Sequence, residues 1–374
     1  MQFIDLKKQY NILKEEIDKS ISKVLDDSHY IGGLEVKQLA EELAQYCGVK
    51  HCLTCGNGTD ALTIALRCLG VGKGDAVFVP TFTFFASAET VALEGATCIF
   101  VDVDPRTFNI DSVKLDKAIS KVIKEGKLNP KCVIAVDLFG QPADFPTIRK
   151  VTDKYGLLII EDGAQGFGGS IEGKKACSFG DISTTSFFPA KPLGCYGDGG
   201  AIFTDNDEYY ALMSSLAVHG KGSYKYDNIR IGYNSRLDTI QAAILLPKLH
   251  AFDNYELRDR NKIAEKYKQL LEKEFITPYV PQGFISSWAQ YTIILDNLEQ
   301  RERIQARLKE NGIPTMIYYP IPMHKQTAFS GYNFNVDDLK EAENLCDRVL
   351  SIPMHPYLDN ETIEFIANSL IESK

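Results

Sequence analysis

Three short segments of this 374-residue chain carry residue types that could do chemistry. The first is Gly56-Asn-Gly-Thr-Asp60, which lies between an apolar run and a segment with helical spacing of apolar residues. A glycine turn that leads into a helix leaves main-chain N–H groups free to bind a phosphate. The same residues match the loose G-x-G-x-x-A pattern of dinucleotide sites, although no acidic residue ends a strand about twenty residues later. A plain turn is the third interpretation.

The second segment is Glu161-Asp162, which follows four apolar residues. It is expected at the carboxyl end of a strand, where α/β sheets bind their ligands. A buried carboxylate needs a cationic partner, and either a protonated pyridine nitrogen or a Lys or Arg side chain would serve. A Walker-type nucleotide site is rejected, because Lys175 stands after the Gly168–Lys174 segment where Ser or Thr must bind magnesium.

The third segment contains Lys191, which stands between Pro189 and Pro192 and before a glycine-rich stretch. The prolines stiffen the loop, and the glycines allow the backbone to approach a ligand closely. Apolar surroundings disfavour the ammonium form of a lysine and so favour a nucleophilic amine. A purely structural loop is the alternative.

Together the three segments supply a phosphate cradle, an acid for a pyridine nitrogen and an amine for an aldehyde. These are the groups that a pyridoxal 5'-phosphate (PLP) site requires. The sequence therefore favours a PLP enzyme over a dinucleotide-dependent oxidoreductase, and no metal site is predicted.

The elements that would position these residues follow a regular order. The chain begins with helical spacing, in which Leu13, Ile17, Ile21 and Val24 share one face, and a second helix is predicted from about Leu34 to Tyr46. Short continuous apolar runs then alternate with helical segments, which predicts an α/β domain with a mostly parallel sheet. The predicted strands are Ala76–Pro80, Thr97–Asp102, Cys132–Asp137, Leu157–Glu161, Ile182–Phe188 and Gly200–Phe203, and the helices between them include Thr59–Leu69 and Phe145–Lys154.

The pattern changes after about residue 246. A long polar helix (Phe252–Glu274), a strand (Gln290–Leu295), a helix (Arg301–Asn311) and a final helix are expected there. We therefore predict a large α/β domain over residues 1–246 and a smaller α+β domain over residues 247–374.

The composition limits the partners. A net charge of -9 and a pI of about 5.3 argue against nucleic acid or an anionic membrane surface. The chain start shows no signal-peptide core and no apolar stretch could span a bilayer, so a cytoplasmic location is expected. The nine cysteines are scattered, and Cys52-Leu-Thr-Cys55 is the single CxxC. A redox pair or half of a zinc site is the alternative to apolar packing for these two.

The sequence resembles the DegT/DnrJ/StrS family of sugar aminotransferases, within the fold-type-I (aspartate aminotransferase-like) PLP enzymes. The similarity runs nearly end to end. It rests on the motifs Gly56–Asp60, Glu161–Gln165, Ser186–Lys191 and Gly232–Asp238. In the dehydratase branch of this family a histidine replaces the lysine, so Lys191 favours transamination.

The resemblance implies roles for individual residues. Lys191 would carry PLP as a Schiff base and would move protons, and Asp162 would pair with the pyridinium nitrogen. The other expected cofactor contacts are Gly58, Thr59 and Ser186 at the phosphate, Phe84 stacked on the ring, Gln165 at the ring hydroxyl oxygen, and Asn234 at the phosphate of a neighbouring subunit's cofactor. The expected substrate contacts are Arg236 from that neighbour, Tyr318, Tyr319 and His324.

The resemblance also suggests the reaction. The motifs around Lys191 and Tyr319–Pro322 look most like the branch that aminates C3 of UDP-2-acetamido-3-oxo sugars, with L-glutamate as donor, in surface-polysaccharide or lipid A synthesis. An active homodimer is implied. Tyr318 occupies a position where several relatives have a histidine, so recognition of a sugar carboxylate stays open. A dTDP- or UDP-linked keto-6-deoxy sugar is the alternative substrate.

Overall fold

The computed structural model describes residues 1–224, 226–331 and 339–374. Its helices follow the predicted spacing, and most begin at a polar N-cap residue such as Asp5 or Asn57. The α-helices are α1 (Leu6–Asp27), α2 (Leu34–Cys47), α3 (Gly58–Cys68), α4 (Ala86–Leu93), α5 (Ser112–Glu125), α6 (Phe145–Tyr155), α7 (Asp207–Leu216), α8 (Thr239–Ala251), α9 (Leu257–Leu271), α10 (Leu298–Glu310), α11 (Lys340–Arg348) and α12 (Asn360–Glu372).

The strands form one large sheet and two small ones. They are β1 (His51–Cys55), β2 (Asp75–Pro80), β3 (Thr97–Val101), β4 (Asn129–Val136), β5 (Leu158–Asp162), β6 (Ser170–Ile171), β7 (Lys174–Lys175), β8 (Ile182–Ser186), β9 (Gly200–Thr204), β10 (Phe284–Ile285), β11 (Tyr291–Ile294) and β12 (Val349–Ile352). The large sheet has the order β1-β9-β8-β5-β4-β2-β3. Only β9 runs against its neighbours there, so the predicted mostly parallel sheet is confirmed.

Both faces of this sheet are covered. Ile134 and Val136 of β4 pack in the cluster that contains α3, whereas Val133 and Ala135 pack in the cluster that contains α5 and α6. Successive strand residues point to opposite faces, so a strand buried on both sides is apolar at every position. The continuous apolar runs in the sequence have this origin.

The residues predicted to form the smaller domain have a core of their own. The antiparallel pair β11 and β12 packs with α9, α10 and α12 around Tyr267, Tyr291 and Ile366. The predicted boundary between residues 246 and 247 falls inside α8, and residues as far as Phe252 pack in a cluster with Leu39 of α2. The predicted boundary stays a prediction, and it lies within a helix whose residues pack against α2.

The helix predicted over Phe252–Glu274 differs from the observed one. Residues Phe252–Glu256 form a π-helical turn that joins α8 to α9, so helical structure begins much earlier, at Thr239. Pro247 lies inside α8, where it removes one main-chain hydrogen bond. Burial of the surrounding apolar side chains outweighs that loss. No helix in the described part of the chain has the length and apolar character to cross a membrane.

Candidate active site

The Gly56–Asp60 loop joins β1 to α3 and forms a compact cradle. The Asn57 side chain accepts a hydrogen bond from the Asp60 N–H at 2.8 Å and caps the helix. The N–H groups of Gly58 and Thr59 precede the first intrahelical bond and are available to an anion. A Cβ atom on Gly58 would lie 2.7 Å from the Cβ of Ser186. Glycine therefore lets the helix terminus approach the end of β8, where the Ser186 hydroxyl lies.

The segment around Ser235 supports this cradle from behind. The Ser235 hydroxyl donates to the Asp60 carboxylate at 2.6 Å and accepts from the Gly56 N–H at 2.9 Å. Its neighbours Asn234 and Arg236 are exposed and hydrogen-bonded to each other, and Arg236 lines an open cavity of about 930 Å³. Side chains along this segment thus alternate between the cradle and solvent. The sequence did not single out Ser235.

Asp162 is the last residue of β5 and is 5% exposed. The Ser87 hydroxyl donates to one carboxylate oxygen at 2.7 Å, and the Ala164 N–H donates to the other at 3.3 Å. Burial raises the pKa of Asp162, while the Ser87 hydrogen bond and the charge of Lys191 oppose that rise. A protonated ring nitrogen would complete the neutralisation of this carboxylate.

Glu161 precedes Asp162 but has a different role. Its buried carboxylate accepts the N–H groups of Cys177 and Phe179 at 2.6 and 2.7 Å and the Ser183 hydroxyl at 2.7 Å. These contacts anchor the segment that leads to β8. Of the two adjacent acids, Asp162 is the one associated with Lys191.

Lys191 lies in a tight turn that follows β8. The main-chain N–H of Lys191 donates to the Phe188 carbonyl at 2.8 Å, and a Cβ on Gly194 would lie 2.5 Å from the Pro189 carbonyl oxygen. Burial lowers the pKa of Lys191, and the Asp162 charge only partly opposes this. A larger fraction of the amine is therefore neutral and able to attack a carbonyl carbon.

Gln165 and two aromatic residues form a further group of contacts at the site. The Gln165 side-chain carbonyl accepts the Phe139 N–H at 2.8 Å, and its amide donates to the Tyr319 hydroxyl at 3.1 Å. Phe84 is 54% exposed, and its ring centroid lies 6.3 Å from that of Tyr319. An exposed aromatic face beside buried polar groups is suited to stacking on a planar ligand. Burial raises the pKa of Tyr319, so its hydroxyl stays protonated.

Tyr318 and His324 lie farther along the same loop. The Tyr318 ring makes an edge contact with Phe3 at a centroid distance of 6.3 Å. The His324 side chain is 3% exposed, with Nδ1 at 2.7 Å from the Thr81 hydroxyl and Nε2 at 3.0 Å from Glu343. Both ring nitrogens are thus engaged within the chain and support the loop that carries Phe84. A substrate contact by His324 stays a prediction.

The structure bears on two alternatives that the sequence raises, namely a Walker-type nucleotide site and a redox or zinc site at Cys52 and Cys55. The Gly168–Lys174 segment forms the short strands β6 and β7, which belong to a small antiparallel sheet with β10. Cys52 and Cys55 are buried on β1, and burial raises the pKa of both thiols. No group of three His, Cys, Asp or Glu side chains able to hold a metal ion is found among the described residues.

The cradle, Asp162 and Lys191 share one edge of the sheet, because they follow the carboxyl ends of β1, β5 and β8. The groups fit PLP: the N–H groups of Gly58 and Thr59 at the start of α3 suit a phosphate, the buried acid suits a pyridinium, and the half-buried amine suits an aldehyde. The fold and this set of residues define a PLP-dependent aminotransferase of fold type I.

The chain belongs to the DegT/DnrJ/EryC1/StrS aminotransferase family, whose family model matches residues 11–371. It is 47% identical over 371 residues to the UDP-2-acetamido-2-deoxy-3-oxo-D-glucuronate aminotransferase of Pseudomonas aeruginosa, covering 99% of each chain. It is 41% identical to the pleiotropic regulatory protein of Geobacillus stearothermophilus, with 99% and 97% coverage. It is 40% identical to the UDP-N-acetyl-3-dehydro-alpha-D-glucosamine 3-aminotransferase of Acidithiobacillus ferrooxidans, with 97% and 95% coverage.

Solved structures agree with this assignment. An aminotransferase of the same family from Brucella abortus superimposes with a TM-score of 0.96 at 47% identity, covering 99% of this chain and 98% of that one. NtdA from Bacillus subtilis, solved with bound cofactor PMP, superimposes with a TM-score of 0.88 at 29% identity, covering 97% and 82%. The predicted family, fold class and PLP cofactor are therefore confirmed.

Proposed function

We propose that this enzyme transfers the amino group of L-glutamate to the C3 ketone of a UDP-linked 2-acetamido-3-oxo sugar. The observation that carries the proposal is the convergence of the Gly58 cradle, the buried Asp162 and the half-buried Lys191 on one sheet edge. The names of the relatives that are 47% and 40% identical support the sugar, because both act on UDP-linked substrates.

PLP, when bound, supplies an aldehyde that accepts the amino group and an electron-withdrawing ring. The N–H groups of Gly58 and Thr59, with the Ser186 hydroxyl, would hold its phosphate. Lys191 would hold it covalently, and the exposed Phe84 ring would stack on it. Gln165 would donate to the ring hydroxyl oxygen.

Two residues would control protons. Asp162, fixed by the Ser87 hydroxyl, would keep a proton on the ring nitrogen, since its buried carboxylate is stabilised by a cation. Lys191 Nζ would move a proton to and from the reacting carbon of each substrate, because its lowered pKa leaves the amine free to accept one. Asp162 would therefore keep the ring nitrogen protonated, whereas Lys191 would transfer a proton to and from the reacting carbon.

We further propose that the active unit is a homodimer. Asn234 and Arg236 are exposed, although Ser235 between them is buried against the cradle. Their outward direction suits contacts to the cofactor phosphate and the substrate in a second copy of the chain. This proposal is tested by sedimentation of the holoenzyme, and by complementation between an inactive Lys191→Ala chain and an inactive Arg236→Ala chain. Mixed dimers should regain activity only if Arg236 acts across the interface.

The glucuronate form of the sugar is the first choice, because the relative named for it is 47% identical. We place the reaction in the cytoplasm, where the nine buried free thiols would stay reduced. The amino sugar produced would serve a surface polysaccharide or lipid A.

The substrate is tested with a panel of UDP- and dTDP-linked keto sugars, generated in situ by a dehydrogenase or dehydratase, with glutamate as donor. We expect amination of UDP-linked 3-oxo sugars that carry a 2-acetamido group, detected by mass spectrometry and by 2-oxoglutarate release. Comparison of the C6 carboxylate with the C6 alcohol decides between the two sugar types. Amination of 4-keto-6-deoxy sugars alone would contradict the C3 assignment.

A further inference from the structure

Besides Tyr319, the small domain contacts the cofactor site through a short segment, residues 286–290. The Ser287 N–H donates to the Gly140 carbonyl at 2.8 Å, and the Gln290 N–H donates to the Phe139 carbonyl at 3.3 Å. Ser287 is fully buried, and its hydroxyl lies 2.8 Å from the main-chain carbonyl oxygen of Gln165 and 3.3 Å from that of Gly140, so the shorter contact is to Gln165. A residue of the small domain thus holds the backbone of a residue at the cofactor site.

The contact surface has unusual backbone conformations. Phe139 has φ of 60° and Trp288 has φ of 53°, values in the left-handed region that bulky residues rarely adopt. A Cβ on Gly140 would lie 2.6 Å from the main-chain nitrogen of Trp288, so the backbones at Gly140 and at Trp288 pack directly against each other. Such conformations persist where the surrounding structure imposes them, and they are concentrated at functional sites.

The left-handed residue Phe139 also fixes the orientation of the Gln165 amide. A main-chain N–H can only donate, so the Gln165 atom that faces Phe139 must be the carbonyl oxygen Oε1. The Nε2 group therefore points the other way, and one of its hydrogens reaches the Tyr319 hydroxyl at 3.1 Å. The second hydrogen is left for a ligand in the cofactor site.

We propose that Ser287 is a positioning residue for Gln165. Its hydroxyl fixes the Gln165 main chain, and the segment it belongs to holds Phe139, whose N–H fixes the amide. The small domain thereby determines where the Gln165 N–H donor lies. This inference rests on the proposed function, because it takes the ring hydroxyl of PLP as the acceptor for that donor.

The test uses Ser287→Ala with Ser286→Ala as the matched control. Ser286 is the adjacent residue and is 2% exposed, but its hydroxyl accepts the Trp288 N–H at 3.1 Å and does not touch Gln165. PLP is titrated into each apoenzyme, and the visible absorption band of the bound cofactor is recorded. We expect roughly two- to tenfold weaker PLP binding and a shifted band for Ser287→Ala, the effect of one buried hydrogen bond. Ser286→Ala should match the wild type in both.

Trp288 is the only tryptophan of the chain, so its emission reports whether residues 286–290 stay packed. If Ser287→Ala does not fold, Ser287→Cys is measured in its place, because a thiol is a weak donor of similar shape. The inference is overturned if the folded Ser287 variant binds PLP with wild-type affinity and spectrum, or if Ser286→Ala loses as much. A wild-type protein that fails to bind PLP would instead contradict the proposed function.

Discussion

Gly58→Ala is the substitution that tests the phosphate cradle most specifically. The new Cβ would lie 2.7 Å from the Ser186 Cβ, whereas an ordinary contact needs at least 3.4 Å. The start of α3 and the end of β8 must then separate by about 0.7 Å, and overpacking of this kind costs about 1–3 kcal/mol. If the distorted cradle carries that cost into cofactor binding, PLP affinity falls by roughly 5- to 150-fold.

The assay is equilibrium titration of the apoenzyme with PLP, together with thermal unfolding of the apoenzyme. Gly72→Ala is the control, because a Cβ there would meet only the Glu94 carbonyl oxygen at 3.9 Å. The control should bind PLP as the wild type does and should be at least as stable, since alanine restricts the unfolded chain. Wild-type PLP affinity in Gly58→Ala would refute the cradle.

Three further predictions concern single side chains. Lys191→Ala should lower kcat by roughly 10²–10⁴-fold or more. Lys191→Arg should be equally impaired, because a guanidinium cannot serve as the nucleophilic amine. Substantial turnover in either variant would disprove the assignment. Burial lowers the pKa of Lys248 from 10.5 to about 8, so burying its charge costs stability below about pH 8, and that cost disappears as pH rises towards 10.5. In urea unfolding at pH 7, the free energy of unfolding of Lys248→Met should therefore exceed that of the wild type by up to about 3 kcal/mol, and the difference should shrink above pH 8. A difference independent of pH would contradict this. The Asp102 carboxylate accepts the Ala342 N–H at 2.8 Å and forms an ion pair with Lys114 at 2.8 Å. Asp102→Asn should therefore lower the free energy of unfolding by about 2 kcal/mol. An unchanged urea midpoint would contradict a stabilising role for these two contacts.

Most of the large domain could be predicted from the sequence because its strands are buried on both faces. A run such as Cys132–Val136 is apolar at every position, and its ends mark β4 to within a few residues. The sequence was least informative at α8. Pro247 suggests that a helix ends there, whereas the structure has one buried helix from Thr239 to Ala251. The tertiary packing of that helix outweighs the local preference of its proline, and local patterns do not reveal such packing.

The candidate site could be located from the sequence where its chemistry requires one residue type. Gly58, Asp162 and Lys191 belong to motifs that lie far apart along the chain but follow strands whose carboxyl ends meet at one edge of the sheet. Ser87 and Ser287 could not be found in this way. Both hold a functional residue from a distant part of the chain, and a single serine carries no pattern that signals such a contact.

The most direct test of the central claim identifies the residue that holds the cofactor. The PLP-loaded enzyme is reduced with borohydride, which fixes the cofactor permanently to its lysine, and is then digested and analysed by mass spectrometry. The account predicts the pyridoxyl group on Lys191, and loss of this labelled peptide when glutamate is added before reduction. A label on another lysine, such as the buried Lys248, or no label at all, would contradict it.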